Sequence, residues 1–254
     1  KGAISLDGTL NWANADLNAP LIVSPSGQLT ISNTVTFGYN NGIQNGGGAI
    51  THFGSLIWAG ATHYGYGNAI VHNAGACAIV ANINLVIATG TNVFFNAGTL
   101  EKSGGASTAT INWRFTSTGT INTPAAPLDL PNWVGVNTLH GQARLGSVRL
   151  ASSLTIAADG ILNWTGGDFM GAVTVQPGGS LTVTNSTTFG YNNGTMNGGG
   201  TLTNQGTVIW AGGTHYGYGG AVVHNAGLWQ IVANNNLVNA GGSNLFVNTG
   251  TLIK

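Results

Sequence analysis

The most distinctive segment of the sequence is T-H-Y-G-Y-G followed by V-H-N-A-G, and it occurs twice. Imidazole nitrogens are common metal ligands, so metal binding is the first chemistry to consider. The two histidines of each copy are nine residues apart with no carboxylate nearby, which leaves a thin ligand set. We therefore predict no metal site and favour a structural loop. The residues concerned are His63, Tyr64, Tyr66 and His72, repeated as His215, Tyr216, Tyr218 and His224.

A glycan-binding surface is the second chemistry that this segment could support. Exposed aromatic rings stack on sugar rings, while nearby Asn and Thr side chains supply hydrogen bonds. Because successive side chains of a strand point to opposite faces, the period-two apolar pattern directs Trp58 and Trp210 inward, whereas His72 and His224 fall between inward positions and point outward. The candidate glycan or contact surface comprises Tyr39, His63, Tyr64, Tyr66, His72, Tyr191, His215, Tyr216, Tyr218 and His224.

Carboxylates are too few and too scattered to suggest catalysis. The chain has six acidic residues among 254, whereas β-solenoid lyases and hydrolases need clustered carboxylates to move protons or hold a cation. The glycine clusters at 45–48 and 197–200 lack the Lys-Ser/Thr pair and the helix of a phosphate-binding loop. The sequence predicts no catalytic residue, no cofactor and no enzyme activity.

Composition excludes further classes of partner. Six basic residues balance the six acidic ones, so there is no basic patch for a nucleic acid or an anionic lipid surface. No apolar run is long enough for a transmembrane helix, and we expect no membrane insertion. Cys77 is the only cysteine; we interpret it as an apolar core thiol because Trp229 occupies the matching position of the second copy.

A long internal repeat underlies these duplicated motifs. Residues 1–102 align with 153–254 at a shift of 152, with 58 identities in 102 positions. Such self-similarity is the signature of a repeat architecture. We define 1–152 as the first long repeat and 153–254 as a partial second one.

A shorter period lies beneath the long one. Glycines recur 19 to 27 residues apart, with one gap of 41 that would fit two coils. Apolar residues precede each glycine by four positions and mostly follow it by two, so two short strands meet at each glycine turn. Glycine suits such a turn because it accepts positive φ and lets the chain pack closely. The glycines are Gly8, Gly27, Gly54, Gly75, Gly98, Gly119, Gly160, Gly179, Gly206, Gly227 and Gly250.

Asparagine recurs two residues before several of these glycines, with its side chain on the inward side. Stacked asparagines form hydrogen-bonded ladders between successive coils, which would satisfy polar groups buried at the corner. His52 takes this position in one coil, where we interpret it as a substitute in the ladder. The predicted ladder residues are Asn73, Asn96, Asn204, Asn225 and Asn248.

These patterns predict an all-β fold, a parallel β-solenoid. A unit of about 20 residues cannot bury its apolar side alone, but stacked units share a continuous core. We expect about 12 coils of 19–27 residues in one continuous solenoid over 1–254, right-handed like most parallel strand connections. The proline-rich segment 123–133 would be an irregular coil or bulging loop.

The sequence resembles the large β-solenoid exoproteins of bacteria, namely filamentous-haemagglutinin-like adhesins, autotransporter passenger domains and giant repeat surface proteins. The resemblance rests on N-x-G-T-L-type units such as NAGTL at 96–100, NQGTV at 204–208 and NTGTL at 248–252. It implies export to the surface of a bacterium or beyond, a rod-like shape and a role in attachment or in a surface fibre.

Two functions stay open at this point. The favoured one is a structural rod, stalk or filament whose partners are copies of the same protein, associated end to end or laterally, because neither end carries a capping segment. The alternative is a cell-surface adhesin that binds polysaccharide. Burial of the tyrosine rings between coils would favour the first, and their exposure in an open groove the second.

Overall fold

The structure is a computed structural model of the chain. It describes residues 2–40, 43–44, 48–145, 148–150, 152–189, 191–192, 195–196 and 200–254. Within these ranges the regular structure is entirely β, so they contain no helix able to cross a membrane. The chain divides into two compact units, Lys1–Asp129 and Leu130–Lys254.

Three parallel sheets form the first unit, and each coil contributes one strand to each sheet. Sheet 1 contains β1 (Ile4–Leu6), β4 (Pro20–Val23), β9 (Ala49–His52), β12 (Ile70–Asn73), β15 (Val93–Asn96) and β18 (Arg114–Ser117). Sheet 2 contains β2 (Thr9–Trp12), β5 (Gln28–Ile31), β10 (Ser55–Trp58), β13 (Ala76–Ile79), β16 (Thr99–Lys102) and β19 (Thr120–Asn122). Sheet 3 contains β3 (Ala15–Leu17), β6 (Val35–Phe37), β11 (Thr62–Gly65), β14 (Asn84–Ile87), β17 (Ala109–Ile111) and β20 (Leu128–Asp129).

The second unit is built in the same way, and its sheets are numbered separately, in the order in which the chain reaches them. Its sheet 1 contains β21 (Asn137–Leu139), β24 (Leu154–Ile156), β27 (Ala172–Val175), β32 (Thr201–Asn204), β35 (Val222–Asn225) and β38 (Leu245–Asn248). Sheet 2 contains β22 (Gln142–Leu145), β25 (Ile161–Trp164), β28 (Ser180–Val183), β33 (Thr207–Trp210), β36 (Leu228–Ile231) and β39 (Thr251–Ile253). Sheet 3 contains β23 (Val148–Leu150), β26 (Gly167–Phe169), β29 (Thr187–Phe189), β34 (Thr214–Tyr218) and β37 (Asn236–Gly241).

One short antiparallel pair accompanies each unit. β7 (Tyr39–Asn40) pairs with β8 (Ile43–Gln44), and β30 (Tyr191–Asn192) pairs with β31 (Thr195–Met196). Every other strand pairing that the structure describes is parallel. The predicted all-β parallel solenoid is therefore confirmed, with about 11 turns instead of about 12. Its extent as one continuous solenoid over 1–254 stays a prediction, as does its handedness.

Alternating side chains fill the core of each unit. The column four residues before each turn glycine is buried in all coils except the first and the last, where Ile4 is exposed and Phe246 is partly exposed. Trp58 and Trp210 lie inside, as their parity predicted. The segment 123–133 also contributes to the core, with Leu128, Leu130 and Trp133 fully buried.

Glycine occupies these turns for a different physical reason from the one inferred from the sequence. None of them adopts a positive φ. Instead, seven of the eleven glycines lie against the carbonyl oxygen of the turn glycine one coil below: a Cβ on Gly75 would lie 2.3 Å from the oxygen of Gly54, and a Cβ on Gly98 2.1 Å from that of Gly75. Gly27, Gly160 and Gly179 lie against other backbone carbonyls, and only Gly8, in the first coil, has no such contact. The expectation of positive φ was wrong, and close backbone packing alone explains this column.

Candidate functional site

The asparagine ladder is confirmed, as one run in each unit. Asn73 donates from Nδ2 to Oδ1 of Asn96 at 2.6 Å, and Asn96 donates to the hydroxyl of Ser117 at 2.9 Å. Each Nδ2 also donates to a backbone carbonyl of the coil above, at 2.9 Å for Asn73 and 3.1 Å for Asn96. The amide groups therefore bind side chain and backbone together at this corner.

The second unit repeats this arrangement. Asn204 donates to Asn225 at 2.7 Å, and Asn225 donates to Asn248 at 2.6 Å. Asn204 and Asn225 are fully buried, whereas Asn248, in the last coil, is exposed.

His52 occupies the ladder position below Asn73 but makes none of the ladder's bonds. Its register partner is Asn73, and its side chain is fully buried with neither ring nitrogen reaching a partner at normal hydrogen-bond geometry. Burial lowers the pKa of His52 to about 4, against a small opposing effect of the Gly54 backbone. The imidazole is therefore neutral at pH 7 and fills space without extending the ladder.

His63 and His215 are buried and cannot belong to a contact surface. His63 lies edge-on to Trp58 with ring centroids 4.8 Å apart, and His215 stacks on Trp210 at 4.5 Å. The Nδ1 atom of His63 accepts a hydrogen bond from the Val35 N–H at 3.3 Å. Their parity is inward, and burial lowers the pKa of both to about 4. These two residues are corrected from the candidate surface to the core.

Tyr64 and Tyr216 face solvent at equivalent positions of sheet 3. Tyr64 has 36% of its surface exposed, and Tyr216 is partly exposed. Tyr64 lies in register between Thr36 and Val86. The rings therefore lie on the outer surface of the sheet and are not packed between coils.

A threonine and an aspartate occupy the positions of Tyr64 in the two preceding coils of sheet 3. Asp16 pairs in register with Thr36, whose hydroxyl donates to the Asp16 carboxylate. We call the set Asp16, Thr36, Tyr64 and Val86 the tyrosine face. It recurs in the second unit as Asp168, Thr188, Tyr216 and Val238, again with a bond from the threonine hydroxyl to the aspartate. A carboxylate, a hydroxyl and an aromatic ring side by side can bind sugar hydroxyls and a sugar ring.

The other predicted surface residues lie apart from this column. Tyr39 and Tyr66 are partly exposed and pack together with ring centroids 4.9 Å apart, beside the β7–β8 pair. Tyr218 is also partly exposed. The backbone of Tyr191 lies in β30, but its side chain falls outside the part of the chain that the structure describes, as do most residues of the glycine clusters at 45–48 and 197–200.

His72 and His224 point outward from sheet 1, as predicted, and are partly exposed. His72 contacts Phe95 of the next coil, with ring centroids 5.0 Å apart. Within each unit, sheet 1 and sheet 3 are separate sheets, so the candidate histidines and tyrosines of that unit do not form one site. Among the described residues, no group of three or more His, Cys, Asp or Glu side chains could hold a metal ion.

Sequence reasoning missed a second set of asparagines. Asn92 accepts from the N–H of Ala69 at 2.8 Å and donates to the carbonyl of Gly65 at 3.0 Å. Asn244 makes the same two bonds, to Ala221 and Gly217, both at 2.8 Å. The available signal was that these two asparagines lie 152 positions apart. It was missed because this asparagine recurs only once in each long repeat and not in every coil.

No protein-family model, curated protein or solved structure matches this chain. The parallel solenoid is consistent with an architectural likeness to bacterial β-solenoid exoproteins, and no family match supports any one of their classes.

Proposed function

We propose that this chain is a structural repeat protein, part of an extracellular rod, stalk or filament on a bacterial surface. The observation that supports it best is that many of the side chains able to do chemistry hold the coils together or lie buried in the core. Five asparagines bind coil to coil, and three of the six histidines are buried and neutral. In this proposal the protein is not an enzyme, and its main partner is another copy of itself.

Electron microscopy and fibre diffraction of the native material test this proposal. Seven coils per 152 residues, at about 4.8 Å each, give an axial repeat of roughly 34 Å. We expect filaments with that repeat and a strong meridional reflection near about 4.8 Å. Isolated short particles at all concentrations would contradict the filament.

Glycan binding is the second candidate, and the outward position of the tyrosine face in both units supports it. We expect a neutral polysaccharide to bind through ring stacking, with Asp16 and Asp168 accepting bonds from sugar hydroxyls. A glycan array followed by calorimetry checks this. The double variant Tyr64→Ala/Tyr216→Ala should abolish binding, while Phe95→Ala, which removes an outward ring from sheet 1, should not. Equal loss in both variants would argue against a site on sheet 3.

A further inference from the structure

Tyr39 and Tyr66 form an aromatic pair that is separate from the tyrosine face. Tyr39 begins β7 and Tyr66 directly follows β11, so the pair joins two successive coils of the first unit. The ring centroids lie 4.9 Å apart, and the ring planes are inclined by 36°. Both rings are partly exposed, so a small oxidant in the solvent can reach them.

The backbone beside each ring explains why the two tyrosines meet. The N–H of Tyr66 donates to the carbonyl of Phe37 at 2.8 Å, which aligns Tyr66 with the end of β6. Gly38 has a φ of 79°, a conformation that glycine adopts without steric cost, and it bends the chain just before Tyr39. Gly67, with a φ of 55°, bends the chain just after Tyr66. The two rings therefore lie at adjacent bends on the surface.

The second long repeat contains the same two tyrosines. The segment T-F-G-Y-N-N-G is identical in both copies, and Tyr39 and Tyr66 recur as Tyr191 and Tyr218. Tyr66 and Tyr218 are each followed by a glycine of positive φ, 55° and 62°. The ring of Tyr218 is partly exposed, and the ring of Tyr191 lies outside the described part of the chain. The sequence therefore retains the pair in both copies.

Two phenol rings at this separation can be joined by one-electron oxidation. Each ring loses one electron and its hydroxyl proton, and the two radicals combine through ring carbons adjacent to the hydroxyl-bearing carbons. One C–C bond forms, and the protons on those carbons move to the oxygens and restore both hydroxyl groups. Hydrogen peroxide accepts the two electrons and two protons and leaves as two water molecules. Rings joined in this way have centroids only slightly closer than 4.9 Å, so the reacting groups are already in place.

Packing of the rings is the alternative explanation for the contact, because aromatic pairs are favourable at centroid separations of about 4.5–7 Å. Packing requires only the rings, as the contact between Phe94 and Phe115 illustrates. Coupling requires both hydroxyl groups, and both copies retain tyrosine at these two positions. The hydroxyl groups thus favour a chemical role for the pair.

We propose that Tyr39 and Tyr66 are an oxidative cross-linking site, at which a peroxidase and hydrogen peroxide join two coils through a dityrosine bond. The link fastens β7 covalently to the coil that follows it. This inference rests on the proposed extracellular location, because oxidising conditions prevail there.

The test is oxidation of the purified chain with a haem peroxidase and hydrogen peroxide, followed by chymotrypsin digestion and mass spectrometry. Tyr39 can couple to Tyr64 or to Tyr66, and the two loops differ in length by only two residues. In urea we expect the two products in about equal amounts, because the loop-closure entropies are nearly the same. In the folded chain we expect the Tyr39–Tyr66 product to exceed the Tyr39–Tyr64 product at least about ten-fold.

Two conservative variants serve as matched controls. Tyr66→Phe keeps the ring but removes the hydroxyl group, so the Tyr39–Tyr66 product should disappear, whereas Tyr64→Phe should leave its yield unchanged. Oxidation should raise the thermal midpoint of the parent chain by several degrees, since the link closes a loop between coils, and should not raise that of Tyr66→Phe. Equal coupling to both partners in the folded chain, or no coupling of Tyr39, would overturn the proposal.

The outcome can be distinguished from that of the filament proposal. Selective coupling in a chain that forms no filaments leaves this site in place and contradicts the filament. Filaments built from a chain in which Tyr39 does not select Tyr66 contradict this site alone.

Discussion

At the residue scale, the ladder asparagines do what an apolar side chain could not. Each of the four buried amides, those of Asn73, Asn96, Asn204 and Asn225, satisfies a backbone carbonyl of the next coil and also binds its neighbours in the ladder. A buried carbonyl or amide without a partner costs roughly 1–3 kcal/mol. The ladder therefore allows a polar corner to be buried within an otherwise apolar core.

Removing one internal ladder residue should be costly. We expect Asn225→Ala to lower the free energy of unfolding by about 2 kcal/mol, because Asn204 and the carbonyl of Thr251 each lose a bond. Urea unfolding followed by circular dichroism measures the loss. Asn248→Ala is the matched control; that residue is exposed, and its variant should lose less than half as much. Equal losses would mean that burial does not determine the ladder's contribution.

The opposite change should stabilise the first unit. His52→Asn introduces the residue that the second copy has at the equivalent position, Asn204. We expect a gain of about 1 kcal/mol, because an imidazole without hydrogen bonds is replaced by an amide in register with Asn73. The urea midpoint should rise; a fall would show that the volume of the imidazole matters more than the missing bonds.

At the element scale, the glycine column fixes how closely successive coils approach at the corner between sheets 1 and 2. The contact joins backbone to backbone, so no side-chain rotation can relieve an added methyl group. We expect Gly75→Ala to destabilise the protein by about 3 kcal/mol, in the range of overpacked cores. Thermal unfolding would detect this as a lower midpoint.

Gly8→Ala is the control within the same column. Gly8 lies in the first coil, where an added Cβ has no atom within 4 Å. Its variant should unfold like the parent chain. Similar losses in both variants would show that the contact between coils is not the cause of the destabilisation.

Much of each coil was predictable from sequence because its determinants repeat every coil. The alternation around the glycines predicted the strands of sheets 1 and 2, the inward tryptophans and the ladder. Sheet 3 was harder, because its strands follow no glycine at a constant distance and its turns vary in length. The tyrosine face was only partly predicted. Tyr64 was named, but Asp16 and Thr36 lie beside it only because successive coils pair in register, and the paired residues are about 20 to 28 positions apart in the chain.

At the scale of the whole molecule, buried neutral histidines make stability depend on pH. His52, His63 and His215 have pKa values lowered by burial from 6.5 to about 4 in the folded chain. Between these values the unfolded chain binds more protons than the folded one, so stability falls as pH decreases from about 6.5 and the loss is complete below about 4. Each histidine contributes about 3 kcal/mol to this loss, and both units contain at least one.

We therefore expect the urea midpoint to be constant above about pH 7 and to decrease steeply towards pH 4.5. The triple variant His52→Asn/His63→Gln/His215→Gln should flatten this dependence. A dependence that persists in the triple variant would assign the acid sensitivity to other groups.

The single thiol of the chain has a consequence of a different kind. Cys77 is almost completely buried, and burial raises its pKa to about 12, with Trp58 opposing. The reactive thiolate is therefore scarce and shielded while its coil is closed. A thiol reagent can modify the chain only when the strands around β13 separate, so the rate of labelling reports how often this interior coil opens. Local unfolding can therefore be followed by mass spectrometry of the native chain, without any engineered probe.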